Sequence, residues 1–131
     1  MADIVWYIVF TDEDVGPHWI HRVLKKGFFH CYCFRKIGDY IYYANPTTSN
    51  IDSRIYEKVV IGDLVSEIKK FPNSNILEFK YPFDINNKMF NIWNLAPTCV
   101  NIVKMFLGVS VRAQTPYQLY KQLLAKGAQT L

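Results

Sequence analysis

Two periods alternate along this chain. Residues 3–10, DIVWYIVF, are an almost unbroken apolar run of β-branched and aromatic side chains, closed by an acidic turn at 11–14. That is the pattern of a buried strand. FFHCYCFR and DYIYYAN flank a turn at Gly38, so residues 28–45 read as a β-hairpin. SRIYEKVV and NILEFKYP supply two further strands. Elsewhere the period is helical. Pro17 opens PHWIHRVLKK, whose stripe is Trp19, Ile20, Val23 and Leu24 and whose stop is Gly27. Asp63 is placed to cap LVSEIKKF, which must end before Pro72. CVNIVKMFL reads as a buried helix ended by Gly108, and residues 109–113 suit one more extended segment. TPYQLYKQLLAKG is the clearest helix: Thr115 caps it, Pro116 takes the first position, Gln118 completes a capping box and Gly127 ends it. Residues 82–96 are rich in Asn and aromatics without a clean period, and read as a loop approaching a site.

No repeat, low-complexity tract or linker interrupts this order, so residues 1–131 are expected to form a single α+β domain, an antiparallel β-sheet with helices packed on it. Half of the 131 residues are hydrophobic, enough for a core without staples. The aromatic share of 16% favours strands and a flat-walled cleft. A net charge of +4 is too small to argue for nucleic acid without a clustered patch. Lys25, Lys26, Arg35 and Lys36, with Tyr32 or Tyr42, could contact a nucleic acid by charge and stacking, but read more simply as solvated ends of elements. The first residues lack a signal peptide's basic region and cleavage site, and their apolar run is too short to cross a membrane. Synthesis in the cytoplasm and no membrane span are therefore expected. The three cysteines read as reduced, with Cys31 and Cys33 on one strand face and poorly placed to bond each other.

Cys99 is the residue with the most chemical promise. It follows Pro97 and Thr98 and opens a helix, where free N–H groups and the helix dipole lower a thiol's pKa. His30, at the start of HCYCFR, is the candidate base. The hairpin decides whether His30 finds an orienting amide. With a Gly38–Asp39 type II′ loop, His30 faces Thr47 and Asn45 is its diagonal neighbour. With an Ile37–Gly38 loop, His30 faces Asn45 directly. A three-residue loop moves Asn45 to the other face. Taken singly, a helical cysteine or a strand histidine is most often a plain core residue. His18 and His21, three apart, could join His30, Cys31 or Cys33 around zinc, but the chain has no CxxC motif and the simpler expectation is no metal and no cofactor. Met89, Phe90, Ile92 and Trp93 are a large apolar load for a loop and suit either a protein partner or closure of the core.

Three segments, WIHRVLKKGFFHCYCFR, YYANP and APTCVNIVKMFLG with its trailing TPYQLYKQLL, resemble circularly permuted papain-like domains of the NlpC/P60-like superfamily, of phage and prophage type. In that permuted order the histidine strand comes first, a polar residue follows on the next strand and the cysteine helix comes late. The order His30, Asn45, Cys99 matches it. The resemblance implies a thiol hydrolase or acyltransferase, a cysteine peptidase or amidase acting on amide or peptide bonds, with cell-wall peptides as a target. Cys99 would be the nucleophile, His30 the base and Asn45 the orienter. The Cys99 N–H would help form an oxyanion hole, with Trp93, Asn94 or Thr98 as candidates for a second donor. It also implies association with a virion. The alternative it leaves open is an inactive structural module of a virion or tail assembly that binds a protein partner.

Overall fold

The computed structural model describes residues 3–12, 25–46, 51–82, 99–109 and 111–131. Six strands form one sheet: β1 (Asp3–Thr11), β2 (His30–Ile37), β3 (Tyr40–Pro46), β4 (Ile51–Glu57), β5 (Asn75–Pro82) and β6 (Gln129–Thr130). They pair antiparallel throughout, in the order β4-β3-β2-β1-β5-β6. Three helices complete the described fold: α1 (Ile61–Lys69), α2 (Cys99–Leu107) and α3 (Pro116–Ala125). The protein is thus an α+β structure, an antiparallel sheet with helices packed on it, as its hydrophobic pattern predicts.

The period-2 rule of strands divides the core in two. Trp6, Ile8 and Phe10 of β1, Cys31 and Cys33 of β2, Ala44 of β3 and Leu77 and Phe79 of β5 pack with Val100, Val103 and Leu107 of α2 and Leu119 and Leu123 of α3. The intervening residues Val9, Tyr32, Phe34, Ile41 and Ile76 pack with Ile68 of α1. Both faces of the central strands are therefore covered. This explains why DIVWYIVF and HCYCF are nearly continuous apolar runs rather than alternating ones.

Several boundaries follow from local chemistry. Thr115 caps α3 by accepting from the Gln118 N–H at 3.3 Å, with Pro116 in the first turn. The Gln118 side chain reaches back one residue further than a capping box requires, to the Gln114 N–H at 2.9 Å. Gly108 and Gly127 stop α2 and α3 with φ of +67° and +103°. Asp63 does not cap α1. The helix starts three residues earlier, at Ile61, the cap position is Val60, and Asp63 lies in the first turn, where its charge still favours the helix dipole. Residues 109 and 111–113 are not strand. Instead the Lys104 ammonium of α2, 4% exposed, donates to the carbonyls of Val111 at 3.1 Å and Ala113 at 2.8 Å. Those carbonyls find a charged donor rather than a strand partner. The expected helix from Pro17 lies outside the described residues except at its end, where Lys25 and Lys26 form a turn closed by the Phe28 N–H on the Lys25 carbonyl at 2.9 Å.

Lys104→Met keeps the stem but strips both carbonyls of their donor. The loss expected is about 2 kcal/mol, read as a lower urea midpoint with unchanged slope. An unchanged midpoint would mean that the two carbonyls are satisfied without Lys104.

Candidate functional site

The site is built from the β2–β3 hairpin and the start of α2. Gly38 takes φ +59° while Asp39 stays out of the positive-φ region, as a type II′ turn requires. The resulting register pairs Ile37 with Tyr40, Phe34 with Tyr43 and Cys33 with Ala44. It is the first of the two registers that bring Asn45 to His30, the diagonal one. Thr47, which that register sets opposite His30, lies outside the described residues.

The chain entering β2 is pinned on several sides. The Phe28 ring packs against Phe10, Tyr117 and Tyr120 at centroid distances of 5.7, 5.0 and 5.0 Å. The Phe29 N–H donates to the Thr11 carbonyl at 2.9 Å. Asp12 accepts from the Gly27 N–H with one carboxylate oxygen and from Asn73 Nδ2 at 2.9 Å with the other. His30 follows at once, 1% exposed, with its first strand pairing to Thr11.

The His30 ring is held by a chain of side chains on one strand face. His30 Nε2 lies 2.5 Å from Asn45 Oδ1, and Asn45 Nδ2 donates to the Tyr43 hydroxyl at 3.0 Å. With the amide oxygen facing the ring and its nitrogen on the Tyr43 hydroxyl, a proton on Nε2 completes the His30–Asn45 bond. Tyr32 flanks the arrangement, its ring 6.2 Å from His30 and 5.3 Å from Tyr43.

Cys99 is the first residue of α2 and packs at the margin of the core, half-buried, whereas Cys31 and Cys33 are fully buried. Its thiol is pulled down to about 5. The largest cause is a hydrogen bond from the Cys31 side chain. Burial opposes it, and a hydrogen bond and positive charge from His30 assist it. Burial pushes the Cys31 thiol well up, and the neighbouring Cys99 adds to the rise. Burial raises Cys33 as well. The three thiols are thus sharply different: one accessible thiolate and two protonated core residues.

No protein-family model matches this chain, and no curated protein or solved structure is significantly similar to it. The site must therefore be read from its own geometry. His30 and Asn45, from β2 and β3, are joined by a hydrogen bond, and Cys99, from α2, is near enough to His30 for its thiol pKa to be lowered by it. Trp93, Asn94 and Thr98, the candidates for a second oxyanion donor, lie outside the described residues, as do His18, His21 and the apolar stretch at 89–93. Among the described residues no three His, Cys, Asp or Glu side chains are grouped to hold a metal, and no helix is long and apolar enough to cross a membrane.

Sequence reasoning missed two participants. Cys31 reads as a reduced cysteine sharing a strand face with Cys33, yet it is the strongest single influence on the Cys99 pKa. Tyr43 reads as one aromatic among many, yet it fixes the Asn45 amide. The signal for Tyr43 was present: it lies two residues before Asn45, and so on the same strand face. Cys31 carried no such signal, because its role depends on which face α2 covers.

The rate of Cys99 alkylation should rise with pH through a midpoint near 5 and then stay flat through neutrality, because the thiolate form is already dominant there. Cys31→Ala and His30→Ala should each move the midpoint upward, towards the unperturbed value of about 8.5, with Cys31→Ala moving it furthest. Cys33→Ala should leave it in place. The midpoint is the discriminating quantity, since a less acidic thiol also gives a more nucleophilic thiolate and neutral-pH rates partly compensate. A wild-type midpoint above about 8 would overturn the activation of Cys99.

Proposed function

We propose that the protein is a thiol hydrolase or acyltransferase acting on amide or peptide bonds, with Cys99 as nucleophile, His30 as base and Asn45 as orienter. The observation that carries this reading is the chain of hydrogen bonds from Tyr43 through Asn45 to His30, beside a Cys99 thiol whose pKa His30 helps to lower. Nε2 of His30 is engaged by Asn45, which leaves Nδ1 as the ring nitrogen to exchange a proton with the thiol in this mechanism. The Cys99 sulfur attacks the substrate carbonyl and forms an S–C bond. The His30 imidazolium then gives its proton to the leaving amine as the C–N bond breaks. Water, or an acceptor amine, next attacks the thioester carbonyl, with His30 taking its proton, and the thiolate leaves. The Cys99 N–H, at the start of α2, is aimed to assist the oxyanion.

The arrangement and the order of its residues support a circularly permuted papain-like domain of the NlpC/P60-like kind. Bacterial cell-wall peptides are the substrate class that this resemblance points to, and a phage virion is the setting it implies. Nothing in the chemistry described requires a metal or a cofactor.

The test is acylation by an activated ester such as p-nitrophenyl acetate, followed by turnover of a panel of peptide amides that includes cell-wall fragments. Wild type should show a burst, an acetyl group mapped to Cys99 by mass spectrometry, and slow release. Cys99→Ala should show none of these. Asn45→Ala should retain the acidic thiol largely intact and lose about 10- to 100-fold in turnover, because a freely rotating His30 ring is misplaced for proton transfer. Acylation confined to other residues, or a burst without any turnover of amides, would favour an inactive module that binds a protein partner.

A further inference from the structure

Acyl transfer of this kind uses one thiol, and the site contains two in one packed cluster. Cys31 is fully buried among the residues against which Cys99 packs, and each thiol shifts the pKa of the other, Cys99 downward and Cys31 upward. The position of Cys31 is held by pairing to β1, with Phe10↔Cys31 in register, while the ladder to β3 begins two residues on at Cys33. Cys99 is on the first turn of α2, where a side chain can rotate without disturbing the helix behind it. The accessible member of the pair is the thiolate, and the inaccessible member is held against it as a thiol.

We infer that Cys99 and Cys31 form a reversible oxidation site, in which a hydroperoxide oxidises Cys99 and Cys31 resolves the product as an intramolecular disulfide. In the first step the Cys99 thiolate attacks the distal oxygen of the hydroperoxide. The O–O bond breaks, Cys99 becomes the sulfenic acid and the alkoxide or hydroxide leaves with a proton from water. In the second step the Cys31 sulfur attacks the Cys99 sulfur. The S–O bond breaks, the S–S bond forms, and the displaced hydroxide combines with the Cys31 proton to give water. A dithiol reductant returns both residues to thiols and is itself oxidised to a disulfide.

The electrostatics of the pair suit this order. In the reduced protein the Cys99 charge helps keep Cys31 protonated. Once Cys99 is a neutral sulfenic acid that contribution disappears, and Cys31 gives up its proton more readily. Burial still opposes ionisation of Cys31, so resolution is expected to be slow beside that of dedicated peroxide-reducing enzymes. The disulfide would protect Cys99 from irreversible oxidation and silence it as a nucleophile until reduced.

The experiment is titration of the reduced full chain with hydrogen peroxide, followed by denaturing alkylation, intact mass and peptide mapping. Cys31 and Cys33 share one tryptic peptide, between Lys26 and Arg35, so mapping is done on Cys33→Ser as well as on wild type. Both should lose the mass of two hydrogens, block two thiols per chain, join the Cys31 and Cys99 peptides, and revert fully with dithiothreitol. Cys31→Ser should instead carry Cys99 on to the sulfinic acid, which dithiothreitol does not reverse. A disulfide that disappears in Cys33→Ser, Cys99-to-Cys99 bonds between chains, or sulfinic acid in wild type to the same extent as in Cys31→Ser would each overturn the inference. The mapping on wild type and Cys33→Ser together stands even if Cys31→Ser fails to fold. It is also independent of acyl transfer: failure to acylate an ester leaves the disulfide result untouched, and the reverse holds too.

Discussion

The two-residue alternation of β2 is the constraint on which the rest of the structure depends. With α2 and α3 on one side of the sheet and α1 on the other, successive residues of β2 are sent to different cores. Cys31 and Cys33 go to the α2 side, while Tyr32 and Phe34 go to the α1 side. His30 and Cys31 are neighbours in sequence, yet they reach Cys99 in different ways. Cys31 lies in the core cluster against which Cys99 packs. His30 reaches it because it is the strand's first residue, where the sheet ends and the chain bends at Phe29. A histidine at the next position on the same face of β2, that of Tyr32, would have been sealed into the α1 core.

The same constraint separates what each partner does. His30 keeps its Nε2 on the Asn45 side, where Asn45 and Tyr43 of the hairpin orient it. Cys31 acts from within the helix-covered core, as a donor in a place that water does not enter. The thiol is therefore acidified by a neutral hydrogen bond from beneath and by a charged one from the side. Burial of Cys99 alone would have pushed its pKa the other way. The two donors more than reverse that cost.

Most of the fold was legible because its signals are local. The bounds of α2 and β5 coincide with CVNIVKMFL and NILEFKYP, and the cap of α3 is readable from Thr115, Pro116 and Gly127. The hairpin was legible to within a choice of register, and Gly38 at φ +59° makes that choice. Two things were not legible. The two-residue strand β6 pairs with β5 at Leu77 and Glu78 through contacts that no local pattern announces. Lys104 looks like a solvated charge in the last turn of a helix, and becomes a buried donor only because the chain beyond Gly108 folds back over it. In the site, Cys99, His30 and Asn45 could be named from residue type and order. The part of Cys31 could not, since it rests on the packing of α2 against one particular face.

The site's halves also differ in how far apart they lie along the chain. His30, Tyr43 and Asn45 belong to one hairpin closed by a two-residue turn, and such hairpins form in about 1–10 μs. Cys99 joins them only after β4, α1 and β5 have intervened. That is a long closure, whose entropy must be met before its contacts are gained. During synthesis His30 and Asn45 can thus be in place while Cys99 is still to be docked. The reactive thiolate comes into being only with the packing of α2, the non-local step. Until then Cys99 lacks both donors and remains an ordinary thiol, so the chain acquires its sharpest chemistry at the end of folding rather than along the way.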